Sequence, residues 1–207
     1  MNGLAARRCS PSAERNLSVI RHLAVEWFGE VECLIEVGSG TGQHAAGIID
    51  ALPTTRWQPT DRQPDAGLIK AWAADAKSPE RVLAARCLDA ANRCDWDELP
   101  PFEGVLTVNT LHIMSWPECQ AFFTHAGSVA SAGCLLMVYG PFHVAGTATS
   151  DGNASFDAHL RADGLGSGIR HLESVRALAS SAGWLERAHY HVPANNQVLV
   201  WEREIGE

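Results

Sequence analysis

A chain of 207 residues with 46% apolar side chains is long enough for one substantial core, burying about 70% of its unfolded surface. A net charge of −8 with only two lysines, Lys70 and Lys77, leaves no basic patch for a polyanion, which disfavours nucleic acid as substrate or partner. No apolar run approaches the ~20 residues that span a bilayer, and Arg7 and Arg8 precede no signal-like apolar segment, so a cytoplasmic protein with no membrane association is expected.

Leu17, Ile20, Leu23, Ala24 and Trp27 recur at three- and four-residue steps and predict an amphipathic helix over 10–28, laid against a sheet. Its start carries Ser12, Glu14, Arg15 and Asn16. These suit either a capped, solvated first turn or a lid whose polar groups face a site; on the second reading residues 1–28 form the lid, and Arg15 and Asn16 reach the substrate.

Residues 33–37 (Cys-Leu-Ile-Glu-Val) read as a buried parallel strand. Gly38, Ser39, Gly40 and Gly42 then turn the chain into a helix marked by Ala45, Ala46, Ile48, Ile49 and Leu52. A strand, a glycine turn and a helix make a cofactor-binding corner. The dinucleotide fingerprint G-x-G-x-x-G fits poorly, because the third glycine arrives one place early and Gln43 stands where it is wanted. Glu36 would repel a pyrophosphate and attract an ammonium group. S-adenosylmethionine has an ammonium and a sulfonium and no phosphate, and the form E-x-G-x-G-x-G resembles the first motif of class I methyltransferases that use it.

Residues 56–61 form a second predicted strand ending in Asp61, placed to accept from the ribose hydroxyls of an adenosine. That position occurs with nicotinamide cofactors too, so it supports an adenosine-containing cofactor without choosing between the two. Helices are expected at 66–75 and from Ser78-Pro79-Glu80, and a third strand at 86–90 brings Asp89 and Ala90 toward an adenine, Asp89 accepting and the Ala90 amide donating. A fourth strand over 102–109 ends in Asn109-Thr110-Leu111-His112-Ile113, at the strand end where open parallel sheets hold ligands. Asn109 would frame the reactive end of the cofactor. His112 is either a structural histidine or a general base.

Ser115-Trp116-Pro117-Glu118 is a capping box that opens a helix, which Gly133 is expected to stop. A fifth strand follows at 135–139 and closes on Gly140-Pro141-Phe142. Residues 141–170 read as a substrate-side insertion with a short helix at 153–161, lined by Phe142, His143, Asn153, Phe156, Asp157 and Arg161, or else as a decorated surface loop. Tyr139 joins Arg15, Asn16, Phe142, Asn153 and Arg161 as a substrate-binding candidate. A last helix over 172–182 and two strands at 184–192 and 197–202, joined by Pro193-Ala194-Asn195-Asn196, complete the chain as an antiparallel hairpin. That hairpin separates the layout from an ordinary nicotinamide-binding domain.

The six cysteines form no C-x-x-C pair; Cys33, Cys87 and Cys134 fall on predicted strands and read as buried reduced thiols. Nine histidines include no H-x-x-x-H, and no metal is expected.

Nearly end to end, the chain resembles the methyltransferase-like proteins grouped as domain-of-unknown-function family 938, similar to animal methyltransferase-like protein 26. The likeness is carried by Ser12-Ala13-Glu14-Arg15-Asn16, by Glu36-Val37-Gly38-Ser39-Gly40-Thr41-Gly42-Gln43-His44 and by Trp57-Gln58-Pro59-Thr60-Asp61. Leu88-Asp89, Asn109-Thr110-Leu111-His112-Ile113, Tyr139-Gly140-Pro141-Phe142, Asn153, Phe156-Asp157, Leu160-Arg161, Gly168-Ile169-Arg170 and Pro193-Ala194-Asn195-Asn196 add to it. The chain departs in having Asp151-Gly152 where serine and glutamate are expected, and glycines at 164, 166 and 168.

The resemblance implies a single α/β domain over 1–207 with the class I methyltransferase (Rossmann-like) fold. Its seven-stranded sheet has order 3-2-1-4-5-7-6, with strand 7 antiparallel and helices on both faces. It also implies S-adenosylmethionine binding through Glu36, Gly38, Gly40, Asp61 and Asp89, and it makes the polar N-terminal patch and the long loop part of the site. The expected activity is methyl transfer to a small molecule, with Asn109 and His112 at the reacting end. A nicotinamide-dependent oxidoreductase and a non-catalytic S-adenosylmethionine-binding protein are the alternatives. A homodimer is left open.

Overall fold

The computed structural model describes residues 7–204, so the first six residues of the expected lid lie outside it. The chain divides into two compact units, one ending at Leu88 and the other beginning at Asp89.

In the first unit, α1 (Pro11–Phe28) starts on Ser10, whose hydroxyl accepts from the Ala13 amide at 3.3 Å, with proline at the position where a missing N–H costs nothing. It buries Ile20, Leu23, Ala24 and Phe28. Strand β1 (Cys33–Val37) is buried throughout and runs parallel to β2 (Arg56–Asp61), with Leu34 beside Trp57 and Val37 beside Thr60. Between them lies α2 (Gln43–Ile48), tightening into a 3₁₀ turn at Ile49–Ala51. Helix α3 (Ala66–Ala73) is capped by Asp65, and the helix expected after Ser78 is a single 3₁₀ turn, Pro79–Arg81. The third strand is shorter than expected: β3 is Arg86–Cys87 alone. Its partner β2 ends at Asp61, whose carbonyl takes the Leu88 amide, and the chain bends at Arg62 and Gln63, so the ladder goes no further. The order here is β3-β2-β1.

The second unit opens with α4 (Arg93–Asp97), a one-turn helix built around the buried Trp96 that the periodicity did not indicate. It continues with β4 (Gly104–Val108), α5 (Trp116–Val129), β5 (Leu135–His143), α6 (Asp151–Arg161), β6 (Arg170–His171), α7 (Leu172–Ser181), β7 (Trp184–Val192) and β8 (Asn196–Arg203). Its order is β4-β5-β8-β7, with β4 and β5 parallel and β8 antiparallel to both neighbours. The stretches 3-2-1 and 4-5-7-6 of the expected order are thus both present, one in each unit, once the two-residue β6 is left out of the numbering. Trp184, Trp201, Phe122 and Phe123 fill this core, with Phe123 edge-on to both Phe122 and Trp201.

Strand β6 is the unexpected eighth strand. It exists because β5 runs four residues past Tyr139, so that Phe142 and His143 find parallel partners in Arg170 and His171. Helix α5 opens on the predicted capping box but stops at Val129; Gly133, at φ 81, turns the chain afterwards. Cys33, Cys119 and Cys134 are buried, and burial pushes the Cys119 thiol up to about 11 and the Cys134 thiol up to about 12. Cys134 lies just before β5, not on a strand, and Cys87 is exposed because edge strand β3 has no cover. Among the described residues, no helix is long and apolar enough to cross a membrane, and no three His, Cys, Asp or Glu side chains gather to hold a metal ion.

Candidate functional site

In the first unit the glycine turn is held in one shape by β2. The amides of Gly38 and Ser39 both donate to the Thr60 carbonyl at 3.0 and 2.9 Å, and the Ser39 hydroxyl bridges the Glu36 carbonyl and the Thr60 amide. Gly38, Gly40 and Gly42 all sit at positive φ, where a side chain is strained. A Cβ on Gly42 would lie 3.0 Å from Ile69 Cα of α3, so this glycine permits a close helix approach. A Cβ on Gly40 would meet nothing within 4 Å, which leaves open space at that turn. Asp61 is turned toward it: its Oδ2 accepts from the Gly40 amide at 3.0 Å.

Glu36, 1% exposed, is buried beneath this turn. Its Oε2 accepts from Trp57 Nε1 at 3.0 Å, whereas Oε1 has no hydrogen bond and faces His44 Nδ1 at 3.3 Å. The other nitrogen of His44 is 2.9 Å from Asn16 Oδ1. Asn16 was expected on the substrate side; it is buried at 5% exposure and engaged by His44, while Arg15 on the next position of α1 is exposed. Gln43 accepts from the Ser10 amide and from Thr41 Oγ1. Sequence reasoning left Gln43 and His44 out of the site. Their signal was present, since both belong to the motif that carries the family resemblance.

In the second unit, Asp89 is organised by its own turn. Its amide donates to Asp95 Oδ2 at 2.8 Å, its Oδ1 accepts from the Ala91 amide at 3.0 Å, and the carbonyl of buried Ala90 takes Trp96 Nε1. Asn109 sits at φ 57, an unusual angle for a residue with a side chain, and its amide donates to the Tyr139 carbonyl at 2.9 Å. Gly140 on β5 makes room: a Cβ there would lie 3.9 Å from Asn109 Oδ1 and 4.0 Å from His112 Nδ1. These three residues are brought together.

His112 is 7% exposed, with Phe156 edge-on at 5.2 Å between ring centres. Burial, and then the positive charge of Arg170, lower its imidazole to about 4. Arg170, which sequence reasoning gave no role in the site, donates to the carbonyls of Leu111, Met114 and Gly166 and so fixes the loop that carries His112.

The remaining substrate-side candidates are engaged locally. Tyr139 and Phe142 are buried on β5. Asn153 donates to Thr149 Oγ1 at 2.8 Å and to the Asn195 carbonyl at 3.2 Å, tying α6 to the hairpin turn. Arg161 pairs with Asp157 at 2.8 Å, and Asp157 also accepts from His143 Nε2 at 3.1 Å and from the Ile169 amide at 2.6 Å. Burial acts to raise the Asp157 carboxyl, and these three donors outweigh it and hold it below the usual range. An apolar cleft of about 560 Å³ between α3 and residues 79–85 contains none of the expected site residues.

Comparison with solved structures shows the fold. An O-methyltransferase family protein from Burkholderia thailandensis superposes with a TM-score of 0.82 at 16% identity, over 95% of this chain and 57% of that one. The S-adenosylmethionine-dependent methyltransferase SibL matches at 0.74 and 20% identity, over 94% and 56%. An O-methyltransferase family 2 protein from Planctomyces limnophilus, solved with apigenin, matches at 0.73 and 19% identity, over 98% and 63%. The chain therefore spans a little over half the length of these proteins and has the class I methyltransferase, Rossmann-like fold. The model of the family described as protein of unknown function (DUF938) matches residues 7–203, and the chain belongs to that family.

Proposed function

We propose that the protein is an S-adenosylmethionine-dependent methyltransferase acting on a small molecule. The observation that carries this reading is the corner of the first unit. A glycine turn open at Gly40 lies beside a carboxylate at Asp61, and a buried carboxylate with one unfilled oxygen lies at Glu36. A ligand with an ammonium group at one end and ribose hydroxyls at the other suits both, and a pyrophosphate suits neither. When bound, this cofactor supplies a methyl group on a positively charged sulfur, already a strong electrophile.

The work left to the protein is binding, orientation and proton removal. In this reading Gly38, Ser39, Gly40 and Gly42 admit the ligand to the backbone, Glu36 takes the ammonium, and Asp61 takes the ribose hydroxyls. In the second unit Asp89 and Ala90 serve an adenine, and Asn109 frames the reacting end. His112, uncharged at neutral pH, has a lone pair free to accept a proton from an acceptor hydroxyl, amine or thiol. Arg15, Tyr139 and Phe142 are the remaining substrate-side proposals, with Asn16, Asn153 and Arg161 acting through the contacts they already make. Calorimetric titration with S-adenosylhomocysteine and with NAD tests the reading, with Gly40→Arg as the blocked control. Binding of the nucleoside to the wild type alone is the expected result; tight binding of NAD and none of the nucleoside would overturn it.

A further inference from the structure

The apolar cleft of the first unit, about 560 Å³, has no part in the cofactor reading, yet its volume falls in the range of about 300–1,000 Å³ that small-molecule sites occupy. One wall is α3, with Ile69, Ala73 and Ala74; the other is the stretch 79–85, with Val82, Leu83 and Ala84. That second wall is fixed to β2. Val82 lies opposite Trp57, the Leu83 amide donates to the Trp57 carbonyl at 2.8 Å, and the Ala84 carbonyl accepts from Gln58 Nε2 at 2.8 Å. Small side chains on both walls leave a slot along the helix. From Ala66 to Ala74 a rise of 1.5 Å per residue gives about 12 Å, the length of an extended chain of about eight carbons with its head group. Two charged side chains stand in the lining, Lys70 on α3 and Glu80 on the other wall, and no ion pair joins them. A carboxylate head would meet Glu80, and an ammonium head would meet Lys70. A neutral head that accepts from the one and donates to the other, such as a carboxamide, suits both.

We propose that the cleft is a second binding site, for an aliphatic chain of that length with a neutral amide or hydroxyl head, and that its occupant tightens the cofactor corner. The binding follows from the cleft's own walls; the tightening rests on the reading of this unit as an S-adenosylmethionine site. The link is Ile69. Its side chain lines the cleft, while its Cα lies 3.0 Å from where a Cβ on Gly42 would stand, against the glycine turn. Ile69 and Ala73 are the buried residues of α3, and both belong to the cleft wall, so the helix is lightly held where the chain would lie. Its other side is tethered by polar and ring contacts, with Arg7 over the Trp72 ring at 3.9 Å and the Arg8 carbonyl accepting from Trp72 Nε1 at 3.1 Å. An occupant adds apolar contact on the cleft side and braces α3 against the turn.

Calorimetry with hexanamide, octanamide, octanoate and octylammonium reads the site without any cofactor. Each methylene buried between the walls tightens binding about fourfold, so octanamide should bind about fifteenfold better than hexanamide. Octanoate and octylammonium should bind more weakly than octanamide; Glu80→Gln should bring octanoate level with it, and Lys70→Gln should do so for octylammonium. Ala84→Trp, at an exposed position of the strand wall, should abolish binding, and Ala74→Trp on the helix wall is the second block should the first variant fail to fold. No octanamide binding, equal binding of all three heads by the wild type, or binding unmoved by the tryptophans would overturn the proposal. So would a wild-type dimer in sedimentation that Ala84→Trp makes monomeric, because a second copy would then cover the cleft. S-adenosylhomocysteine should bind about fivefold tighter with octanamide present. Equal nucleoside affinity with and without octanamide would overturn the coupling, whereas no nucleoside binding under either condition would overturn the cofactor reading and leave octanamide binding as the measure of the cleft.

Discussion

His112 is the residue whose environment makes the sharpest quantitative demand. In the folded protein its imidazole titrates at about 4, against an ordinary 6.5, because charging it means charging a ring cut off from water and facing Arg170. The unfolded chain takes up this proton as pH falls through ~6.5, and the folded chain does not until about 4. The stability from this group is therefore complete above 6.5 and lost as pH drops toward 4. At about 1.4 kcal/mol for each pH unit the full loss is about 3 kcal/mol, of which about 2 kcal/mol should have gone by pH 5. Other groups titrate in the same range, so the quantity to measure is a difference. Urea unfolding of the wild type and of His112→Gln at pH 7, 6 and 5 should show the wild type losing about 2 kcal/mol relative to the variant. A constant difference, or an imidazole resonance of His112 titrating near 6.5 by NMR, would refute the argument. The same environment sets a catalytic expectation: if His112 accepts the substrate proton, the acid limb of kcat/KM lies near 4, not near 6.5.

Other substitutions read different parts of the structure. Gly42→Ala asks a side chain to adopt φ +81 with Ile69 Cα at 3.0 Å, and should cost about 2 kcal/mol in urea unfolding and weaken nucleoside binding; a cost below about 0.5 kcal/mol contradicts the packing argument. Ser115→Ala removes the acceptor for the Glu118 amide at the start of α5 and should lower stability by about 1 kcal/mol, with no change in nucleoside affinity measured by calorimetry. Asp157→Ala strands the His143 Nε2 hydrogen and the Ile169 amide, and should cost about 2–3 kcal/mol and raise amide exchange at Ile169; exchange as slow as in the wild type would show that other contacts hold the segment.

The N-terminal corner was legible because its chemistry is local. Apolar runs of strand length, three glycines and a capping serine act within a few residues of themselves, so β1, β2, the start of α1 and the capping box of α5 lie where period and punctuation put them. The terminal hairpin was legible for the same reason, with Ala194 and Asn195 at positive φ in its turn. Strand ends were less so. Where β3 stops depends on where β2 stops, and how far β5 continues depends on whether Arg170 and His171 come alongside. Neither partner is near in sequence.

Residue types by themselves determined the fold class, the glycine corner and the acids that flank it, because backbone permissiveness and charge are properties a residue carries wherever it sits. What each polar side chain touches was decided only by tertiary structure. Asn16 looked like a lid residue and proved to be buried against His44; Asn153 and Arg161 looked like pocket lining and are bonded to the Asn195 carbonyl and to Asp157. His112 looked like a base near 6.5 and is held at about 4. A hydrogen bond and a desolvation penalty depend on which groups face each other within about 3 Å and on how much water remains, and both are set by packing between elements distant in the chain.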